Sequence, residues 1–186
     1  MLCFDIQALE SRAAQVDGEL SPDDAVWLES DARPAGPIRV TGRLSAAGPN
    51  RFYFHGHLAG TARGECRRCL TDVETVVALE SHLVFSADHD DAEDADDAYQ
   101  FDAGDRDLDL RPAVREEWLL NVPAFPLCRE DCAGLCPRCG LDRNLSADAG
   151  GCRCEPEPGD TRWAALRAVS TKHTHDAAPG SGSSAE

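Results

Sequence analysis

No stretch of this chain approaches the roughly 18 consecutive apolar residues of a membrane-spanning helix. Met1-Leu2-Cys3-Phe4-Asp5 has no basic region followed by an apolar segment, so a cytoplasmic protein without a membrane partner is expected. Positive charge is scarce as well. Eighteen Lys and Arg face 34 Asp and Glu, for a net charge of -16 and a pI near 4.6. Such a surface does not gather nucleic-acid phosphates by charge alone and is better matched to a basic partner. Aromatic residues make up only 6% of the chain. The sequence contains no nucleophile elbow, no glycine-rich phosphate loop and no helical H-E-x-x-H, so nothing positive supports an enzyme.

What the chain does have is cysteine. Of nine, six fall between Cys128 and Cys154. Cys136-Pro137-Arg138-Cys139-Gly140 has the form of a zinc knuckle, a tight turn presenting two thiolates to one metal, with Gly140 tolerating the left-handed backbone the turn needs. Apart from Cys3, read as a small buried apolar side chain, the thiols form close pairs: Cys66 with Cys69, Cys128 with Cys132, Cys136 with Cys139, and Cys152 with Cys154. In a reducing cytosol such pairs point to metal ligands rather than disulfides.

Four thiolates complete a tetrahedral structural zinc site, and eight suit two closed sites, which stabilise a fold and leave no position open for water. Spacing does not prescribe the partition. The preferred one joins Cys66 and Cys69 to Cys128 and Cys132, and Cys136 and Cys139 to Cys152 and Cys154. An interleaved arrangement, or one site with leftover thiols, stays open. Arg67, Arg68, Arg129, Arg138 and Arg153 lie within or beside the pairs as local counter-charges. Arg67 and Arg68 are also candidates for direct RNA contact. A thioredoxin-like reading of Cys66-Arg67-Arg68-Cys69 requires the pair to open a helix, whereas residues 70–85 look extended.

With 186 residues and 42% hydrophobic content, the chain has room for one ordinary domain or two small ones. Leu2, Phe4, Ile6 and Ala8 alternate as in a first strand over residues 2–8. Ser21-Pro22 is positioned to open a short helical turn through Trp27 and Leu28. Alternating runs follow at 38–44 and 52–58, a third begins near Ala62 and carries Cys66 to Leu70, and another spans 77–85. Together they predict an antiparallel meander with the first thiol pair at a strand end or hairpin. His55 and His57 take the parity opposite Phe52, Phe54 and Leu58, which makes them solvent-facing strand residues with no ligand role assigned.

From Asp88 to Asp109 there are ten Asp, one Glu and one Arg. That density of like charge predicts a solvated, mobile loop, or alternatively an acidic arm for a basic protein. A helix of about 110–121 should then start with Asp109 as cap and Pro112 in its first turn. Leu110, Val114 and Trp118 form one stripe, widened by Leu119 and Leu120, and Pro123 stops the helix. Asp160 can cap a last helix to about Val169, and residues 171–186, with His173 and His175, read as a disordered tail. The expected fold is α+β: a strand meander with two or three short helices and a C-terminal zinc-knuckle lobe. Its divisions are 1–127 (strand-rich core, acidic loop 86–109, helix), 128–170 (cysteine-rich lobe and last helix) and 171–186.

Read in order, Cys66-x-Arg68-Cys69-Leu70, a strand ending in Phe85, an acidic loop, Asp109-Leu110, a helix with Arg115-Glu116, Pro123, Cys128, Cys132, Gly134-Leu135-Cys136-Pro137-x-Cys139-Gly140, Asn144-Leu145, Cys152-x-Cys154 and Arg162-Trp163-Ala164-Ala165-Leu166 resemble the YceD family over roughly residues 38–170. The resemblance implies a non-enzymatic factor in accumulation of large-subunit (23S) ribosomal RNA. Its implied partners are a nascent large subunit, ribosomal RNA or a basic ribosomal protein. Some members lack the later cysteines, so the zinc lobe is not the whole of the shared function, and the family has no established catalytic residues to carry over. Where the family usually has Asp-Pro-Arg, this chain has Asp160-Thr161-Arg162. A zinc-ribbon regulatory protein that binds nucleic acid is the alternative.

Overall fold

The computed structural model describes residues 2–87, 98–155 and 162. The chain forms two compact units, Met1–Leu135 and Cys136–Glu186. Cys128 and Cys132 thus belong to the strand-rich unit.

In that unit β1 (Cys3–Asp5) leads into α1 (Ile6–Ser11), followed by β2 (Ala14–Leu20), β3 (Ile38–Gly48), β4 (Arg51–Glu65), β5 (Asp72–Ser86), β6 (Ala98–Gln100), β7 (Asp107–Asp109) and α2 (Arg111–Asn121). The five-stranded sheet runs β2-β3-β4-β5-β6, and β1 pairs with β7 in a separate ribbon. Consecutive strands from β2 to β5 are antiparallel, and β6 is parallel to β5. The expected meander and α+β class are therefore present, with two α-helices among the described residues.

Alternation builds the core. Val16, Leu20, Ile38, Val40, Leu44, Phe52, Phe54, Leu58, Leu83 and Phe85 are buried, while His55 and His57 on the opposite parity of β4 face solvent. Leu110, Val114 and Trp118 of the helical stripe are also fully buried. Trp118 sits over the sheet at Gly60, where an added Cβ would come within 2.8 Å of the indole ring. Its Nε1–H donates to the Ala32 carbonyl at 2.8 Å. Arg115, one turn earlier, grips Asp31 with Nε to Oδ2 at 2.6 Å and Nη2 to Oδ1 at 2.7 Å. The helix thus fastens residues 31 and 32 of the β2–β3 connection.

Several expectations need correction. The strand of residues 2–8 ends at Asp5, because the Asp5 carboxylate accepts the Ala8 backbone N–H at 2.9 Å and caps α1. The alternation through Ala8 suits a single helical turn equally well. The helical turn at 22–28 is absent: Ser21 Oγ accepts from the Asp23 amide, but the segment runs as successive turns, with Trp27 Nε1–H donating to the Ser21 carbonyl. The runs at 52–58 and from Ala62 are one strand, because the ladder with β5 continues unbroken through Ala59, Gly60 and Thr61. The acidic stretch is not one loop, because β6 and β7 occupy 98–100 and 107–109. Finally, Leu120 does not widen the buried stripe and is 72% exposed.

The cap of α2 is Leu110, with Asp109 one residue earlier still accepting the Arg111 N–H at 2.9 Å. Residues 14–20 carry the same alternation: Val16, Gly18 and Leu20 are buried, while Gln15, Asp17 and Glu19 point outward. The expected last helix and tail lie outside the described residues, as do positions 88–97 of the acidic stretch. Among the described residues, no helix is long and apolar enough to cross a membrane.

Candidate metal centres

Two turns of the same design present the thiols. In the first, between β4 and β5, the Cys66 N–H donates to the Thr71 carbonyl at 2.8 Å and the Leu70 N–H to the Cys66 carbonyl at 2.9 Å. In the second, the Cys136 N–H donates to the Leu141 carbonyl and the Gly140 N–H to the Cys136 carbonyl, both at 2.8 Å. The fifth residue of each is left-handed, with φ 59° at Leu70 and 71° at Gly140. Glycine takes that conformation freely, whereas leucine is strained by it. The hairpin position expected for Cys66 and Cys69 is the one observed.

Residues 122–127 leave α2 and carry the second thiol pair to the first knuckle. The Arg67 N–H donates to the Pro126 carbonyl at 3.0 Å. Arg68 does most of the remaining work: its Nη1 donates to the carbonyls of Glu130 at 3.1 Å and Cys132 at 2.9 Å, and its own carbonyl accepts the Leu135 N–H at 2.9 Å. Gly134, at φ 70°, lets the chain pass so closely that an added Cβ would lie 2.9 Å from the Arg68 oxygen.

These contacts bring Cys66 Sγ to 3.8 Å from Cys132 Sγ and Cys69 Sγ to 3.6 Å from Cys128 Sγ. All four sulfurs lie within 4.8 Å of one another. Cys66, Cys69 and Cys132 are buried, with Val73, Leu127 and Leu135 packed against them. In the second unit Cys136, Cys139, Cys152 and Cys154 form the other group within the same limit, with Cys139 and Cys152 sulfurs 3.5 Å apart. There the Asn144 N–H donates to Asp142 Oδ1 and the Gly151 N–H to the Ser146 carbonyl, closing the loop that returns Cys152. The preferred partition of the eight thiols is the grouping seen.

Both groups fit a tetrahedral ion. A Zn–S bond of about 2.3 Å places neighbouring sulfurs about 3.8 Å apart, and the close pairs measure 3.5 to 3.8 Å. The backbone also favours thiolate. The Cys128 amide, followed by those of Arg68 and Cys69, pulls the Cys66 thiol down to about 6 against the opposing effect of burial. The Cys139 and Arg138 amides do the same for Cys136, again to about 6. Burial and hydrogen bonds to the other thiols push Cys128 up to about 12, as expected where several like groups cannot all ionise without a cation. The two clusters can therefore hold metal ions.

The two RNA-contact candidates differ. Both are exposed, but Arg68 is held on the Glu130 and Cys132 carbonyls, whereas the Arg67 guanidinium lies 6.0 Å from the centroid of the exposed Phe125 ring. No sequence signal distinguished them, since both flank the same thiols.

A family model described as "Large ribosomal RNA subunit accumulation protein YceD" matches residues 54–170, a span holding all eight paired cysteines. The chain is 32% identical over 114 residues to an uncharacterized protein of Mycobacterium tuberculosis (strain ATCC 25618 / H37Rv), covering 60% of this chain and 52% of the relative. It is 26% identical over 140 residues to the uncharacterized protein YlbN of Bacillus subtilis, covering 75% and 80%. A third relative, the chloroplastic "Large ribosomal RNA subunit accumulation protein YCED homolog 1" of Zea mays, is 31% identical over 74 residues, covering 40% and 24%. The chain spans about half the length of the mycobacterial relatives it matches. No solved structure matches it.

Proposed function

The chain belongs to the YceD family, and on that premise we propose that it is a non-enzymatic ribosome biogenesis factor that promotes accumulation of large-subunit (23S) ribosomal RNA. The match over residues 54–170, which takes in most of β4, the first knuckle and both thiol groups, carries this reading. Two structural zinc ions are the proposed cofactors, bound by Cys66, Cys69, Cys128 and Cys132 and by Cys136, Cys139, Cys152 and Cys154. Four thiolates complete the coordination of each ion, so its contribution is to hold the knuckles and their surroundings in place.

The partner we propose is a nascent large subunit, engaged through a basic ribosomal protein or through ribosomal RNA. A net charge of -16 supports the protein contact. Arg67, exposed on the knuckle beside Phe125, supports a limited RNA contact by charge and stacking. Depletion followed by subunit profiling tests the reading. Loss of 23S RNA and of large subunits relative to small ones is expected, and unchanged levels with a normal subunit ratio would overturn it.

A further inference from the structure

The exposed face of the sheet carries a cluster that the thiol chemistry does not use. The β4–β5 register sets His55 directly opposite His82 and His57 opposite Glu80. On that face the His55 and His82 rings stack, with centroids 4.5 Å apart and planes inclined by 12°. Glu80 Oε1 lies 2.7 Å from His55 Nε2 and 3.7 Å from His82 Nε2. Tyr53, on the same face of β4, places its hydroxyl 2.6 Å from His82 Nδ1.

From this arrangement we infer that His55, His82 and Glu80 form a third metal site, which takes a divalent transition ion such as Zn²⁺ and is chemically separate from the thiol centres. Two imidazoles and one carboxylate are a recurrent three-residue zinc ligand set, with water or another ligand in the fourth position. Tetrahedral bonds of about 2.0 to 2.1 Å put neighbouring donor atoms about 3.3 to 3.4 Å apart. The separations of Glu80 from His55 and His82, 2.7 and 3.7 Å, lie on either side of that value, and all three donor atoms lie within 4.8 Å of one another. The strands supply the rigidity, because cross-strand neighbours on a ladder cannot drift apart.

Tyr53 supplies orientation. A ligating histidine fixes its tautomer by donating its other ring N–H to a nearby acceptor. With His82 Nδ1–H donated to the Tyr53 hydroxyl oxygen, the Nε2 lone pair is turned to the side where Glu80 lies. His55, Glu80 and His82 side chains are each about half exposed, at 48, 55 and 54%. An ion therefore reaches them without opening the fold, and the open coordination position faces solvent.

The test is calorimetric titration of Zn²⁺ into the full chain with its native metal content. His173→Asn and His175→Asn are present throughout, so that those histidines contribute nothing. The background protein should take up one further equivalent, and His55→Asn with His82→Asn should abolish that uptake. Glu80→Gln should weaken it about tenfold, and Tyr53→Phe severalfold. Uptake that is missing from the background protein, or that persists unchanged in the double histidine variant, would overturn the inference. The readout is the difference between variants, so it stands whether or not the thiol groups hold two ions.

Discussion

Cys66 Sγ lies 3.8 Å from Cys132 Sγ although they are 66 positions apart in the chain. The distance is that of two ligands on one tetrahedral ion, and it ties the β4–β5 hairpin to the segment that follows α2. The purified protein should accordingly contain about two zinc ions per chain. Cys132→Ser should lower the content to about one, with the loss confined to the first centre, and Cys152→Ser should do the same at the second. Elemental analysis of the three proteins is the check; no zinc in the parent protein, with all eight thiols freely titratable, would refute both centres.

The two knuckles differ at their left-handed residue. Leucine in that conformation costs about 1–2 kcal/mol, partly offset because glycine loses about 0.5–1 kcal/mol more entropy on ordering. Leu70 is more than half exposed, so little burial is lost on its removal. Leu70→Gly should therefore stabilise the strand-rich unit by roughly 0.5 kcal/mol. Gly140→Leu should weaken the second knuckle by about 1 kcal/mol. Denaturant unfolding of zinc-replete protein measures the first, and zinc retention under competing chelator reads the second.

Trp118 links α2, the sheet and the β2–β3 connection. Trp118→Ala removes a fully buried indole and should cost about 3–5 kcal/mol. Trp118→Phe keeps most of the packing but deprives the Ala32 carbonyl of its donor, for a loss of about 1–3 kcal/mol. Equilibrium unfolding of both variants should preserve that order.

Asp31 gives the pH dependence a definite sign. Its hydrogen bonds from the Arg115 guanidinium hold its pKa below the ordinary carboxylate value, with the Leu28 amide adding to the effect against desolvation. A depressed folded pKa means the pair stabilises the protein fully above the unfolded-state value, and that this stability is lost as pH falls through the folded value. Asp31→Asn should lower Tm at neutral pH and flatten the acid limb of a Tm-against-pH curve. An unchanged acid limb would show that the pair contributes nothing.

Much of the sheet was legible because strand alternation is a local property. Phe52, Phe54 and Leu58 point inward and His55 and His57 outward, as their parity requires. The α2 stripe of Leu110, Val114 and Trp118 was legible for the same reason at helical period. Short elements were not. Residues 2–8 fit a strand and a capped helical turn equally, and Asp5 decided between them through one hydrogen bond to Ala8. The runs at 52–58 and from Ala62 join through Gly60, whose close neighbour, the Trp118 ring, comes from 58 positions further along the chain.

By itself the sequence determined the thiol pairs, the knuckle turns that hold them and the alternating faces of the strands, because turn geometry and the two-residue period depend only on neighbours along the chain. The tertiary structure decided which pairs meet, turned Arg68 onto the Glu130 and Cys132 carbonyls while setting Arg67 beside Phe125, and placed His55 against His82. Those relationships depend on strand register and on the path of residues 122–135. Both are set by the burial of side chains distant in sequence, which no local pattern contains.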